Sequence, residues 1–180
     1  MRVPTENQMR LMRECLEYDP DTGEMRWIKS TSSSVRAGDV VRGFDRQGYS
    51  QVGIGGRRWM THRIAWFLYH GVWPDTGLDH ENRVPSDNRI VNLRPGNKAE
   101  NAVNAGIRSD NLSGYRDVCW HKKAQKWMAQ SSSKNRVSYM GLYEDPAEAA
   151  VQVERFREEN DGEFYCPPPY YTELFGVEIT

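Results

Sequence analysis

Cysteine and long apolar runs are both scarce in this chain, and each shortage excludes a class of protein. Its three cysteines lie far apart and are odd in number, so the sequence encodes neither a disulfide framework nor a CxxC zinc site. No apolar run approaches the roughly 18 to 20 residues that a membrane helix needs, and MRVPTENQMR lacks the apolar core of a signal peptide. We therefore expect a soluble cytoplasmic protein without a membrane partner.

Histidine is also sparse, which limits the metal sites that the chain can build. Of the four histidines, His62 and His70 lie eight residues apart on a predicted helix. The zinc site of an HExxH protease needs histidines at positions i and i+4 of one helix, so that class of enzyme is excluded.

The net charge is only −1, but the charged residues are distributed unevenly along the chain. Residues 1–107 carry 15 basic and 13 acidic side chains, residues 108–143 carry seven and two, and residues 144–180 carry two and ten. A basic block is typical of nucleic-acid binding, because duplex affinity depends on neutralising phosphates. Charge alone leaves a simpler alternative open, in which these are solvated faces that differ in sign.

Apolar spacing and turn signals predict short helices and strands in the first part of the chain. A capping-box pattern at Thr5 and Gln8 begins a predicted helix over about residues 6–18. Short strands are expected at EMRWI, DVVRGF, YSQVGI and RRWM, and a second helix from Thr61 to His70. We expect that helix to cover the sheet.

The stretch GLDHENRVPSDNRIVNLRP, residues 77–95, is predicted to form a hairpin. One strand ends at His80, ENRVPSD forms a polar loop, and NRIVNLR returns as the second strand. PG then breaks the chain, and KAENAVNAGI forms a helix. A carboxylate beside a histidine suits metal-assisted hydrolysis, because carboxylate is a hard metal ligand and neutral imidazole accepts a proton near pH 7. Taken in isolation, such a pair in a surface turn is more often structural.

The last part of the chain is predicted to form a second unit. Residues 106–113 have turn residues and no apolar periodicity, so we place a linker at 108–113. Strands at GYRDVCW, WMAQSSS and VSYMGLY precede a helix from Asp145 to Asn160, with Asp145 as its cap and proline at its first position. A three-stranded sheet needs a cover for its apolar face, so we expect it to pack on that helix. The fold class is α+β, with domains at 1–107 and 114–180.

The first domain resembles a known nuclease family. Five short motifs occur in the order found in that family: HR at 62–63, DH at 79–80, DNR at 87–89, NLR at 92–94 and EN at 100–101. Residues from about 48 to 104 resemble the HNH endonucleases of phage and intron homing type, which have the ββα-metal fold. The resemblance implies a core at about 76–106 and hydrolysis of phosphodiester bonds to 5′ phosphate and 3′ hydroxyl ends.

The resemblance also implies roles for four residues. In that family the histidine of DH is the general base, its aspartate binds the metal, the asparagine of NL orients the base, and a helical His or Asn completes the site. Here His80 is then the base, Asn92 the orienting residue, and Asp79 and Asn101 the ligands. With Asn in place of a second imidazole, one Mg²⁺ or Mn²⁺ ion per site is favoured.

Residues beside these motifs are expected to play supporting roles. Asn88 is expected to fix the loop through backbone hydrogen bonds. His62 and Arg63 are interpreted as scaffold, with contact to phosphate as the alternative. A rival interpretation of the whole domain is a DNA-binding or regulatory protein that has lost nuclease activity.

The second domain, over about residues 112–164, resembles the APETALA-type (ethylene-response-factor) DNA-binding domain. SGYRDVCW, KW, YMGLY and EDPAEAA carry this resemblance, although Ser132 and Val137 stand where arginines are common. In that family the sheet enters the major groove of double-stranded DNA. The resemblance implies a reading face on the sheet, formed by Arg116, Val118, Trp120, Gln130, Ser132 and Tyr139. Basic residues are expected to meet phosphates, namely Lys122, Lys123, Lys126, Lys134 and Arg136.

Together these motifs predict a site-preferring homing endonuclease that acts on double-stranded DNA. It would be a nickase as a monomer, or a double-strand cutter as a dimer. If a phage encodes it, its place is the cytoplasm of the bacterial host.

Overall fold

The computed structural model describes residues 2–30, 32, 34–133 and 136–176. Short helices and small antiparallel sheets make up these residues, which confirms the α+β class. None of the helices in the described ranges has the length and apolar character that crossing a membrane requires. The chain divides into two compact units, Met1–Lys98 and Ala99–Thr180.

In its described residues, the first unit contains two helices, three small antiparallel sheets and a 3-10 turn. Its elements are α1 (Glu6–Cys15), β1 (Leu16–Tyr18), β2 (Met25–Trp27), β3 (Gly43–Phe44), β4 (Ser50–Ile54), β5 (Arg57–Met60), α2 (Thr61–His70), β6 (Gly77–His80), the 3-10 turn (Ile90–Asn92) and β7 (Leu93–Gly96). The sheets are formed by β1 with β2, by β3, β4 and β5, and by β6 with β7. Met12 of α1 and Ile64 of α2 are fully buried in the core between these elements.

The start of α1 agrees with its capping box, but its end does not agree with the prediction. Gln8 N donates to Thr5 Oγ1 and Thr5 N donates to Gln8 Oε1, so both halves of the box are formed. The predicted helix over 6–18 is too long, because Leu16 turns extended and pairs with Trp27. The pairing of β1 with β2 buries Leu16 and therefore overrides the helical periodicity.

The hairpin of β6 and β7 differs from the predicted one in its second strand. Residues 90–92 form a 3-10 turn, and β7 begins only at Leu93 and includes Pro95. His80 lies opposite Leu93 in the register. The predicted return strand NRIVNLR therefore begins five residues too early, and the predicted break at PG is wrong. Proline is tolerated in β7 because a strand of a two-stranded sheet has one edge without ladder hydrogen bonds.

The second unit contains a three-stranded antiparallel sheet covered by a long helix. Its elements are α3 (Lys98–Val103), β8 (Val118–His121), β9 (Lys126–Ser133), β10 (Arg136–Tyr143), α4 (Pro146–Asn160), a 3-10 turn (Gly162–Phe164) and α5 (Tyr171–Phe175). Ala149, Ala150 and Val153 of α4 pack on Val118 and Ala129 of the sheet.

The cap of α4 is formed as predicted. Asp145 accepts a hydrogen bond from Ala147 N at 2.7 Å, and Pro146 is the first helical residue. The division between the units falls at Lys98 and Ala99, so all but the first residue of α3 belongs to the second unit. The domain bounds 1–107 and 114–180, with a linker at 108–113, remain a prediction.

Candidate active site

His80 is held at the end of β6 by a chain of buried hydrogen bonds. Its Nε2 lies 3.1 Å from Asn88 Oδ1, and Asn88 Nδ2 donates to Thr61 Oγ1 at 3.0 Å. Thr61 Oγ1 in turn donates to Ser50 O at 3.1 Å. All four residues are buried, so the ring is fixed by groups that cannot exchange their partners for water.

The direction of these bonds determines which ring nitrogen of His80 carries the proton. A carbonyl can only accept, so the single hydroxyl proton of Thr61 is used on Ser50 O. Thr61 Oγ1 must then accept from Asn88 Nδ2, which turns Asn88 Oδ1 towards His80. His80 Nε2 is therefore the donor, and Nδ1 carries the lone pair of the neutral ring.

In the structure, Asn88 and Asn92 form each other's expected hydrogen bonds. The side chain of Asn92 closes the loop, with Nδ2 donating to Asp87 O at 2.7 Å and Oδ1 accepting from Asn82 N at 2.9 Å. Asn88 holds the ring of His80 instead. The cause is the late start of β7, which places Asn92 in the 3-10 turn. Asn92 is linked to His80 indirectly. It binds the carbonyl of Asp87, and the next residue, Asn88, contacts the ring.

Two further rings pack against His80. The His62 ring lies 5.1 Å from it, edge to face, and the Tyr49 ring lies 5.7 Å from it. Burial, followed by the nearby His80 and Arg63, lowers the pKa of His62 to about 3. Burial also lowers the pKa of His80, although Asn88 and the charges of Asp79 and Asp87 act in the opposite direction. Both rings are therefore neutral at neutral pH.

Arg63 contributes to the scaffold around these rings. Its guanidinium donates to Pro74 O at 2.7 Å and to Thr76 O at 3.2 Å, which ties α2 to the segment before β6. These contacts favour the scaffold interpretation over contact with phosphate. Nothing in the sequence around Tyr49 indicates that this residue lies near His80, so the contact is found only in the structure.

Asp79 is held by an arginine on the facing strand. Arg94 lies directly opposite in the register, and its Nε and Nη2 are 3.0 and 2.9 Å from Asp79 Oδ2. The Asp79 side chain is 10% exposed, so the pair is largely shielded from water. Arg94 belongs to the motif NLR, but its pairing with Asp79 depends on the register between β6 and β7. The sequence did not predict that register, because it placed the start of β7 too early.

Asn101 lies in the middle of α3, in the second unit, and is partly buried. Within the ranges that the structure describes, no group of three or more His, Cys, Asp or Glu side chains could hold a metal ion. The expected ligands are one carboxylate, from Asp79, and one amide, from Asn101. They are therefore not a group of three His, Cys, Asp or Glu side chains.

Three residues of the predicted reading face share the exposed side of the second sheet. Gln130 pairs with Tyr139, and Ser132 pairs with Val137 one step along the ladder. These side chains are exposed, and Tyr139 is 61% exposed. Gln130, Ser132 and Tyr139 therefore form a continuous surface, which we call the outer face of the sheet.

Arg116, Val118 and Trp120 do not lie on the outer face, which corrects the predicted reading face. Val118 must be buried under α4, and strand alternation then turns Trp120 to the same inner side, where its ring lies 5.1 Å from Trp127. Cys119 takes the outward position. Arg116 precedes β8, its side chain is 11% exposed, and its Nη2 donates to Ala102 O at 2.9 Å.

The basic residues expected at phosphates are mostly exposed. Lys122 and Lys123 lie in the turn between β8 and β9, and Arg136 begins β10. Lys126 forms an ion pair with Glu144 at 2.8 Å, so part of its charge is already balanced. Lys134 lies outside the described residues.

Comparison with known protein families gives a match to part of the chain. Residues 60–103 match a family model described as HNH endonuclease. No curated protein and no solved structure matches the chain. The resemblance of residues 112–164 to an APETALA-type domain, and the phage type, have no support from these comparisons and stay predictions. The matched segment contains Asp79, His80, Asn92 and Asn101. The match supports an HNH nuclease domain in this part of the chain, and so a DNA endonuclease in general.

Proposed function

We propose that this protein is a metal-dependent DNA endonuclease that uses His80 as its general base. The hydrogen-bonded chain from Ser50 through Thr61 and Asn88 to His80 is the observation that supports this best. It fixes both the orientation and the tautomer of a neutral imidazole, as proton transfer from an attacking water requires. The products are a 5′ phosphate and a 3′ hydroxyl.

The surroundings of His80 support the same role. The lowered pKa keeps the ring unprotonated at neutral pH, so it is ready to accept a proton. Packing against His62 and Tyr49 limits the movement of the ring. A base that is already oriented needs little reorganisation when the water attacks, which lowers the barrier.

The proposed donors suit Mg²⁺ or Mn²⁺. The carboxylate of Asp79 and the amide oxygen of Asn101 are hard oxygen ligands, which these ions prefer. A divalent ion bound there would stabilise the charge that develops on the scissile phosphate and the leaving 3′ oxygen. Arg94 fixes Asp79 Oδ2 and so sets the direction of the carboxylate.

We further propose that the second unit holds double-stranded DNA. Its outer face presents hydrogen-bonding side chains, with exposed lysines of the β8–β9 turn beside it. Amide side chains such as Gln130 suit contacts with base edges, and lysines suit phosphates. The enzyme would then prefer certain sites, as homing endonucleases do, and one active site would cut one strand at each visit.

A plasmid-nicking assay with Mg²⁺ tests the proposed reaction. We expect His80→Ala to lose at least roughly a hundredfold in rate, the scale of a missing general base. His70→Ala is the matched control, because His70 is exposed at the end of α2. Equal rates for wild type and His80→Ala would exclude His80 as the base. Tight DNA binding without cleavage by the wild type, in Mg²⁺ and in Mn²⁺, would instead support a non-catalytic DNA-binding protein.

A further inference from the structure

The second unit holds the short helix α3, which carries Asn101. Helix α3 has six residues, and none of its side chains is fully buried. Helices of this length are marginal in isolation, and their last carbonyls lack partners within the helix. The orientation of α3 therefore depends on groups outside it. Asn101, the proposed metal ligand, lies in the middle of this helix.

Two arginines bind the last carbonyls of α3. Arg116 Nη2 donates to Ala102 O at 2.9 Å, and Arg157 Nη2 donates to Val103 O at 2.6 Å. A positively charged donor at the C-terminal end of a helix both satisfies the carbonyl and interacts favourably with the helix dipole. These carbonyls belong to the two residues directly after Asn101.

Arg157 is itself held on several sides. Its side chain is 3% exposed, and its guanidinium lies 3.2 Å from Asp161 Oδ2 and 3.3 Å from Asp117 Oδ2. Asp117 Oδ2 also accepts from Ser131 Oγ at 2.6 Å. Because breaking a buried ion pair is costly, this cluster connects the end of α3 rigidly to α4 and β9.

Arg116 is held by a second set of contacts. Its backbone N donates to Tyr170 Oη at 3.0 Å, and Tyr170 Oη donates to Glu154 Oε1 at 2.8 Å. Glu154 is 1% exposed. Arg116 is thus anchored to the buried side of α4, and its side chain extends from that anchor to Ala102 O.

We propose that Arg116 and Arg157 are positioning residues for the nuclease reaction. They orient α3 so that Asn101 presents its amide oxygen in a fixed direction. This inference rests on the proposed function, in which Asn101 is a ligand. It gives Arg116 a role in the reaction in place of the base contact expected from its sequence.

The test uses the full chain with Arg157→Met combined with Asp161→Asn, so that Asp161 is not left as an unpaired buried carboxylate. Arg155→Met is the matched control, because Arg155 is exposed on the same helix. Three readouts are taken: hydrogen exchange of the α3 amides, Mn²⁺ affinity by electron paramagnetic resonance, and the Mg²⁺ concentration for half-maximal plasmid nicking. DNA binding without metal is measured beside them.

We expect α3 to exchange faster in the double variant and the metal requirement to rise about tenfold, as when a group that supports a metal ligand is removed. DNA affinity without metal should change by less than about twofold, because these arginines do not face DNA in this proposal. Arg155→Met should match the wild type. Unchanged exchange and metal affinity in a folded double variant would overturn the inference, and so would a loss confined to DNA binding.

A thermal scan establishes whether the double variant is folded. If it unfolds below the assay temperature, Arg116→Met is measured in the same way, since it keeps the contacts of Arg157 with Val103 O and Asp161. Exchange of the α3 amides and the metal requirement should then rise by a smaller amount. Both should return towards the wild type in Arg116→Lys, which keeps a charged donor. No change in either quantity would overturn the inference. A wild type that never nicks DNA would contradict the proposed function alone, because exchange and Mn²⁺ affinity still test the positioning.

Discussion

Asn88 and Asn92 have the same side chain, yet the loop gives them different tasks. Asn88 touches the ring of His80, while Asn92 bonds the loop backbone at Asn82 and Asp87. The sequence predicted the role of His80 through the resemblance to HNH endonucleases, which rests on five spaced motifs and not on the Asp–His pair alone. It could not predict the partner of His80, because that choice depends on a hydrogen bond to Thr61 on another element.

At this scale we expect Asn88→Ala to slow nicking by about tenfold to a hundredfold, a large part of what a general base contributes. The KM for DNA should stay nearly unchanged, because Asn88 orients the base and does not hold substrate. Nitrogen NMR of the ring is the second measurement, since loss of the acceptor at Nε2 should mix the two neutral tautomers. Thr61→Val, which removes the bond that orients Asn88, should give a smaller effect in the same direction.

Asn92→Ala is the comparison that would contradict this assignment. It removes bonds to the loop backbone, so it should loosen the loop and leave the tautomer of His80 largely as in the wild type. A tautomer change in Asn92→Ala together with none in Asn88→Ala would restore Asn92 as the residue that orients the base.

Elements whose ends are set by local chemistry were predictable, and those set by distant contacts were not. The capping box of α1 and the Asp145 cap of α4 involve side chains within three residues of the helix start. The 3-10 turn before β7 instead depends on Ile90 N, which donates to Pro20 O at 3.0 Å. No pattern within residues 77–95 reports that contact, so the return strand was misplaced.

The hairpin of β6 and β7 also leads to a stability prediction. Arg94→Leu should lower the free energy of unfolding by about 3 kcal/mol, because it removes the ion-pair partner of a largely buried carboxylate. Arg89→Leu is the control, since Arg89 forms a more exposed pair with Asp87 and should change stability by about 1 kcal/mol or less. The midpoint of urea unfolding measures both. Equal shifts for the two variants would show that the Asp79–Arg94 pair stabilises the fold no more than the exposed Asp87–Arg89 pair does.

At the scale of the whole molecule, the uneven charge distribution along the sequence corresponds to the two sides of the second sheet. The acidic helix α4 lies on one side, and the outer face lies on the other. Helix α4 packs on the inner side through Ala149, Ala150 and Val153, and the acidic excess of residues 144–180 includes this helix. The outer face lies on the opposite side of the sheet, next to the β8–β9 turn. This arrangement keeps much of the negative charge away from the surface proposed to meet phosphates, which a net charge of −1 does not reveal.

Salt dependence of DNA binding tests this separation. For duplex DNA, the logarithm of the binding constant falls with the logarithm of salt concentration by about 0.9 for each phosphate neutralised. Replacing both Lys122 and Lys123 by alanine should therefore reduce the slope by about 2. Arg155→Ala on α4 removes one positive charge from the other side of the sheet and should leave the slope unchanged. The measurement is fluorescence anisotropy of labelled duplex without metal, from low to physiological salt. Equal slopes for the double lysine variant and the wild type would show that DNA does not reach the β8–β9 turn.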